Sequence, residues 1–189
     1  PGFAELVKES APDIRFLVIT DNNAGDKAKT PDSVPHIPFA ELLGDKGACP
    51  VRATDPHANL GIQFTSGTTS RPKAVLWTHA NTIWGAQMNA SHMRLSGADI
   101  TLAFLPLFHT NAQSYSMLGS LWVGGTIVVQ PRFSASRFWP TARKHKCTWT
   151  SLIPFCVKAL LSQDPPPDHS FRFWNPAIRM PDVETTYGI

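Results

Sequence analysis

The segment Thr65-Ser66-Gly67-Thr68-Thr69-Ser70-Arg71-Pro72-Lys73 gathers the residue types that hold a polyphosphate. From Thr65 to Ser70 every residue is glycine or carries a hydroxyl. Backbone with so little bulk can turn several N–H groups toward one point, the hydroxyls add donors, and Lys73 brings a positive charge to the end of the loop. A Walker-type loop requires G-x-x-x-x-G-K-[ST] running into a helix. Here there is one glycine, Pro72 precedes Lys73, and Ala74 leads into a strand, so order, spacing and context all exclude it. A Ser/Thr-rich turn without a ligand has the same composition, and the loop by itself leaves that reading open. His109, in Leu105-Pro106-Leu107-Phe108-His109-Thr110-Asn111-Ala112, is the second group able to do chemistry. Taken alone, a single histidine is more often a polar surface or core residue.

These side chains need a scaffold. Residues 3–8 read as the end of a helix and residues 14–19 as a short β-branched strand, which places the opening of the chain inside a fold. Residues 20–38 turn to Asp, Asn, Gly, Lys, Ser and Pro, which is loop chemistry, and residues 39–43 supply one helical turn. Strands are expected over 60–64 and 74–77, on either side of the hydroxyl-rich loop. Thr78 caps a helix over 79–93 whose inward face is expected to carry Ile83, Ala86, Gln87 and Ala90. Further strands follow at 100–105, 126–130 and 148–153, with helices at 114–122, ended by Gly124 and Gly125, and at 134–145, which tolerates Pro140. The alternation predicts an α/β fold with a mixed, largely parallel sheet and flanking helices. Two segments are expected: 1–59, a partial α/β piece with long polar loops, and 60–189, an α/β subdomain which carries the hydroxyl-rich loop and His109. Residues 164–168, with three consecutive prolines, form a stiff connection, read either as a surface loop or as a proline-rich ligand for a partner module.

Composition narrows the function classes. With 42% apolar residues in 189 the chain can bury a core, while only 16% are charged, which suits a piece that hides surface against partners. The net charge is +3, and the one basic cluster, Arg143-Lys144-His145-Lys146, falls where a helix ends. No aromatic residues interleave with it, so nucleic acid is not an expected partner. Cys49, Cys147 and Cys156 are odd in number and form no C-x-x-C or Cys/His pattern. Neither a zinc site nor a disulfide framework is expected, no metal ligand is assigned, and the reducing cytoplasm is the expected compartment. No run of about 18 apolar residues is present to span a bilayer.

Phe64 through Lys73, followed by Val75, Thr78, His79 and Asn81, resembles the phosphate-loop signature of the adenylate-forming superfamily, which comprises acyl-CoA synthetases, adenylation domains of peptide synthetases and beetle luciferases. The pattern T-S-G-T-T-G-x-P-K-G-V, then a strand and T-H-x-N, is met except that Ser70 and Ala74 stand where the family has glycine. Ser70 puts a side chain where the loop turns most freely, which narrows or stiffens the phosphate site. Leu105 to His109 resembles the family's L-P-L-F-H motif, and the C-terminal stretch, through Phe138, Trp139, Pro165 and Trp174, most resembles crotonobetaine/carnitine-CoA ligases. The resemblance implies an enzyme that joins a carboxylic acid to CoA with ATP and Mg²⁺, through an acyl-adenylate. Thr65, Ser66, Gly67, Thr68, Thr69 and Lys73 would hold the phosphates, Thr69 and Lys73 act in catalysis, and His109 line the acyl/CoA pocket.

The end of the chain carries Tyr187-Gly188, read either as the start of the family's Y-G-x-T-E motif or as an earlier aromatic-Gly-aliphatic step. On both readings the motif's glutamate is missing, as are the ribose-binding aspartate and the mobile C-terminal domain. The expectation is a fragment of the large N-terminal domain, not catalytically complete alone. The alternatives are a non-catalytic nucleotide- or acyl-binding module, and a piece whose apolar surface forms an oligomer or docks on the rest of an enzyme.

Overall fold

A computed structural model describes residues 3–11, 13–19, 35–44, 55–65, 71–164, 166–176 and 181. The chain divides into two compact units, Pro1–Thr54 and Asp55–Ile189. The first contains helix α1 (Phe3–Ser10), strands β1 (Leu17–Ile19) and β2 (His36–Pro38), which pair in parallel, and a 3₁₀ turn (Phe39–Leu42). The strand expected over 14–19 is shorter than its apolar run. Ile14 N–H is used in a turn onto the Ala11 carbonyl (3.1 Å), and the ladder opens only where Leu17 N–H reaches Pro35 O (2.9 Å).

The second unit opens with an antiparallel hairpin, β3 (Asn59–Thr65) and β4 (Lys73–Thr78), which runs into helix α2 (His79–His92). Beyond it β5 (Ile100–Ala103), a π-helical segment (Asn111–Leu118), α3 (Gly119–Trp122), β6 (Thr126–Val129), α4 (Ala135–Lys144), β7 (Trp149–Leu152), α5 (Pro154–Leu161) and β8 (Phe173–Pro176) follow. The four later strands form one sheet in the order β6-β5-β7-β8, every pair parallel. The fold is therefore mixed α/β with crossover helices between parallel strands, as the alternation of elements predicts.

The core lies between this sheet and α4 and α5. Phe138 and Leu152 are fully buried, with Phe104, Phe171 and Trp174 close to it. Phe138 stacks on Phe171 (5.5 Å between centroids) and meets Trp174 edge-on (5.6 Å), arrangements that add to plain area burial. Pro140 sits within α4 beyond its first turn, where it has no N–H to give the Ser136 carbonyl. At the helix end Arg143 pairs with Asp168, so the proline-rich connection is tied to α4 while Lys144, His145 and Lys146 face solvent.

One carboxylate organises the strand starts. Asp99 is 4% exposed and accepts from Arg172 Nε (2.9 Å) and Nη2 (3.0 Å), from the Thr148 hydroxyl (2.7 Å) and from Ser96 N–H (2.8 Å). Burial pushes its pKa up, but the bonds from Arg172, Thr148 and Ser96, with the Arg172 charge, outweigh that and leave it below the ordinary carboxylate value. Arg172 also lies over the Phe173 ring (4.9 Å).

Helix α2 is fastened by a capping box: the Thr78 hydroxyl accepts from Asn81 N–H (3.2 Å), and Asn81 Oδ1 accepts from Thr78 N–H (2.9 Å). Its inward face is not the one the apolar spacing predicts. Ala86 and Ala90 are buried as expected, but Ile83 is 54% exposed and Gln87 is exposed, while Thr82 and Asn89 are buried. The rotation follows from Asn89, whose amide donates to the Tyr115 carbonyl (3.0 Å). That carbonyl would serve Gly119 N–H in an α-helix. Instead Gly119 N–H reaches Ser114 O, five residues back, so the helix expected over 114–122 starts earlier and is wound wide. Gly119 is required here, because a Cβ would stand 2.7 Å from Asn89 Nδ2. Gly124, at φ +70°, reverses the chain after α3.

Among the described residues no helix is long and apolar enough to cross a membrane. Cys147 and Cys156 are buried free thiols. Burial pushes Cys147 up to about 11 and raises Cys156 as well, so neither supplies a thiolate at neutral pH. Both should resist a thiol reagent in the native protein and react only once denaturant is added, as followed by mass spectrometry. Asp99→Asn should lower stability by about 2 kcal/mol at pH 7, since it leaves a half-exposed Arg172 without its partner. Because the folded-state pKa is depressed, this contribution is complete above the unfolded value of about 4 and is lost as pH falls through the folded one. Urea unfolding of the two proteins at pH 7 should differ, and the difference should shrink in acid.

Candidate functional site

The hairpin places both ends of the hydroxyl-rich loop side by side. Thr65, the last residue of β3, stands opposite Lys73, the first of β4, and Gln63 and Gly61 stand opposite Val75 and Trp77. Residues directly opposite in an antiparallel pair share a face, and alternate residues repeat it. One face therefore carries Gln63, Thr65, Lys73, Val75 and Trp77. The other carries Ile62, Phe64 and Leu76, which are 58%, 68% and 56% exposed. Ser66, Gly67, Thr68, Thr69 and Ser70 lie outside the described residues, and of the expected phosphate ligands Thr65 and Lys73 alone can be located.

The segment bearing His109 leaves the C-terminal end of β5, where open α/β sheets present their functional loops. His109 N–H donates to Pro106 O (3.0 Å), closing a turn, and His109 O accepts from Gln113 N–H (3.0 Å) at the entry to the π-helical segment. The imidazole is exposed and lies against the Phe108 ring (4.7 Å between centroids, 46° between planes).

Gln63 joins hairpin to loop. Its Nε2 donates to Gln113 Oε1 (2.7 Å) and, at longer range, to Phe108 O (3.5 Å), while its Oε1 accepts from the Thr110 hydroxyl (2.8 Å). The resulting cavity of about 310 Å³ is walled on one side by Gln63, Thr65 and Trp77 and on the other by Phe108, His109 and Thr110. Two sequence candidates, Thr65 and His109, thus line one space, and Lys73 stands across the ladder from Thr65. What the sequence reading missed is the set that holds them: Gln63, Thr110 and Gln113. No local signal marks Gln63: it alternates with Leu60, Ile62 and Phe64 as an outward-facing polar residue does, and only the fold makes it the one half-buried position of β3. A polar side chain in such a setting needs a partner.

A second, larger cleft of about 730 Å³ opens between α2 and the π-helical segment, lined by Trp84, Met88, His92, Asn111, Tyr115 and Asn175 among others. Among the described residues it is lined by no Lys, Arg, Asp or Glu. The Asn111 side-chain oxygen is buried with no partner among the described residues. No group of three or more His, Cys, Asp or Glu side chains is placed to hold a metal among the described residues. Among the described residues the smaller cavity offers the hard oxygens of Thr65 and Thr110 and no carboxylate, so a magnesium ion held by these groups would depend mainly on oxygens brought by a ligand.

Known proteins resemble this chain in sequence and in fold. The model of the AMP-binding enzyme family matches residues 4–181. Sulfoacetate–CoA ligase of Cupriavidus necator is 35% identical over 159 residues, covering 84% of this chain and 29% of the relative. Crotonobetaine/carnitine–CoA ligase of Escherichia coli is 31% identical over 169 residues, covering 87% of this chain and 31% of the relative. The chain thus spans about a third of the length of these ligases. Among solved structures, O-succinylbenzoate coenzyme A synthetase of Bacillus subtilis in complex with AMP superposes with a TM-score of 0.67 at 28% identity, over 80% of this chain and 32% of that one. Hairpin, phosphate-loop ends and His109 loop, together with a match over nearly the whole chain, make this protein a member of the AMP-binding enzyme family.

Proposed function

We infer that the chain forms the phosphate-loop and acyl-side part of an ATP-dependent acid–thiol ligase, which activates a carboxylic acid as acyl-AMP and passes the acyl group to CoA. The observation that carries this reading is the cavity shared by Thr65 and His109, with Lys73 paired to Thr65 at its edge. In the first step a carboxylate oxygen attacks the α-phosphorus of ATP, the bond to the bridging oxygen breaks, and pyrophosphate leaves. In the second a thiol sulfur attacks the acyl carbon, AMP departs with the electron pair of the C–O bond, and the thiol proton is released. Both steps depend on positioning and on neutralising phosphate charge more than on a protein nucleophile. The two buried thiols, which stay protonated at neutral pH, fit that economy.

In this reading Thr65, Ser66, Gly67, Thr68, Thr69 and Lys73 hold the phosphates, with Thr69 and Lys73 closest to the chemistry. Mg²⁺, if bound with ATP, would supply further charge neutralisation beside Lys73. His109 lines the passage by which acid and thiol approach. The cleft between α2 and the π-helical segment, which carries no charged side chain among the described residues, takes the body of the acid, its amides and aromatic rings favouring a neutral or cationic group over a second anion. Residues 60–189 act as the working segment, and the remaining parts of a ligase of the relatives' length supply what this third of it does not.

Removing the Lys73 charge tests the assignment. In the protein translated from the complete gene, Lys73→Ala should slow acid-dependent pyrophosphate exchange by about 10²–10³-fold, the scale on which one preorganised charge-stabilising group acts. Exchange at the unaltered rate would remove Lys73 from the site.

A further inference from the structure

We propose that Gln63 is a positioning residue, clamping the loop that carries His109 to the strand entering the phosphate loop so that occupancy at one half of the site is felt at the other; the coupling, though not the clamp itself, rests on the ligase reading above. Among the described residues, the Gln63 bonds are the side-chain hydrogen bonds that span the hairpin and the segment from Phe104 to Leu118. They meet Phe108 and Thr110, the two neighbours of His109, and Gln113, whose own N–H holds the His109 carbonyl (3.0 Å). His109 is thus enclosed by groups that Gln63 touches, although Gln63 does not touch the imidazole.

The other end of the link is as short. Gln63 lies two residues before Thr65 on the same strand face, so a shift of the strand end at Thr65 moves the amide with it. Bonded groups with defined positions can pass such a shift on, whereas Ile62 and Phe64 are more than half exposed and their side chains have no hydrogen-bonding group. The amide also suits the task by its chemistry. It offers a donor and an acceptor at once, and both are used, without adding a charge beside a nucleotide.

Amide hydrogen exchange on the 189-residue chain without ligand tests the clamp, comparing the native sequence with Gln63→Leu, Gln63→Glu and Thr110→Val. Gln63→Leu should raise exchange at the His109 and Gln113 amides by about tenfold, the worth of one to two hydrogen bonds, while the α4 amides stay unchanged. Gln63→Glu keeps an acceptor for Thr110 and for a rotated Gln113 amide, and should restore most of the protection; Thr110→Val should lose part of it. Exchange at His109 and Gln113 that is unchanged in Gln63→Leu, or slower there than in Gln63→Glu, would overturn the clamp, since side-chain bulk would then be what matters. Should Gln63→Leu also lose protection in α4, Gln63→Glu and Thr110→Val decide, and native-like exchange in Thr110→Val would count against the clamp.

Titration with ATP and Mg²⁺, followed by backbone amide shifts, tests the coupling. In the native sequence the Thr65, Lys73 and His109 amides should all respond; in Gln63→Leu the first two should respond and His109 should not. A His109 response that survives in Gln63→Leu overturns the coupling. No response at Thr65 or Lys73 in the native sequence would strike the ligase reading and with it the coupling, leaving the clamp to the ligand-free exchange.

Discussion

The second unit depends on one buried carboxylate being satisfied. Asp99 precedes β5, and its partners come from the turn at Ser96, from Thr148 ahead of β7 and from Arg172 ahead of β8. An ionised group this deep is tolerated only when its oxygens are fully bonded, so the starts of three neighbouring strands are brought to one point. The backbone at Asp99 adds the fourth strand, because Thr126 N–H donates to its carbonyl (2.9 Å). With the strand starts drawn together, their C-terminal ends are aligned as well, and the loop with Pro106 and His109 leaves the sheet from one of those ends.

The sheet and the hairpin are separate pieces of architecture. The sheet is parallel and packed under helices; the hairpin is antiparallel and exposed along most of both strands. The groups proposed to hold phosphate, Thr65 and Lys73, belong to the hairpin, and His109, proposed for the acyl side, follows a strand of the sheet. The junction between them is polar and small, built on Gln63, Thr110 and Gln113. A junction of hydrogen bonds is directional, and it holds a geometry without requiring the large buried area of a hydrophobic seam.

The wide helix following His109 shows how packing alters local preference. Residues 111–118 have no composition that demands a π-helix. The close approach of α2 at Gly119, and the amide of Asn89 taking the Tyr115 carbonyl, shift the hydrogen bonding by one residue. Such widened turns occur often at functional sites, and this one begins two residues beyond His109.

Much was legible in the sequence. Periodicity and turn residues located β5, β6 and β7 but not the edge strand β8, the Thr78 cap located the start of α2, and the Thr65–Lys73 segment with the His109 motif identified the family, because loop chemistry depends on the order of residues in one short stretch. The buried face of α2 was not legible, since Asn89 is drawn inward by a carbonyl 26 residues away that no local pattern encodes. Nor was the clamp at Gln63, whose partners are 45 to 50 residues off. Residue type decides what a group is able to bond; only the tertiary fold decides which distant group arrives within 3 Å of it.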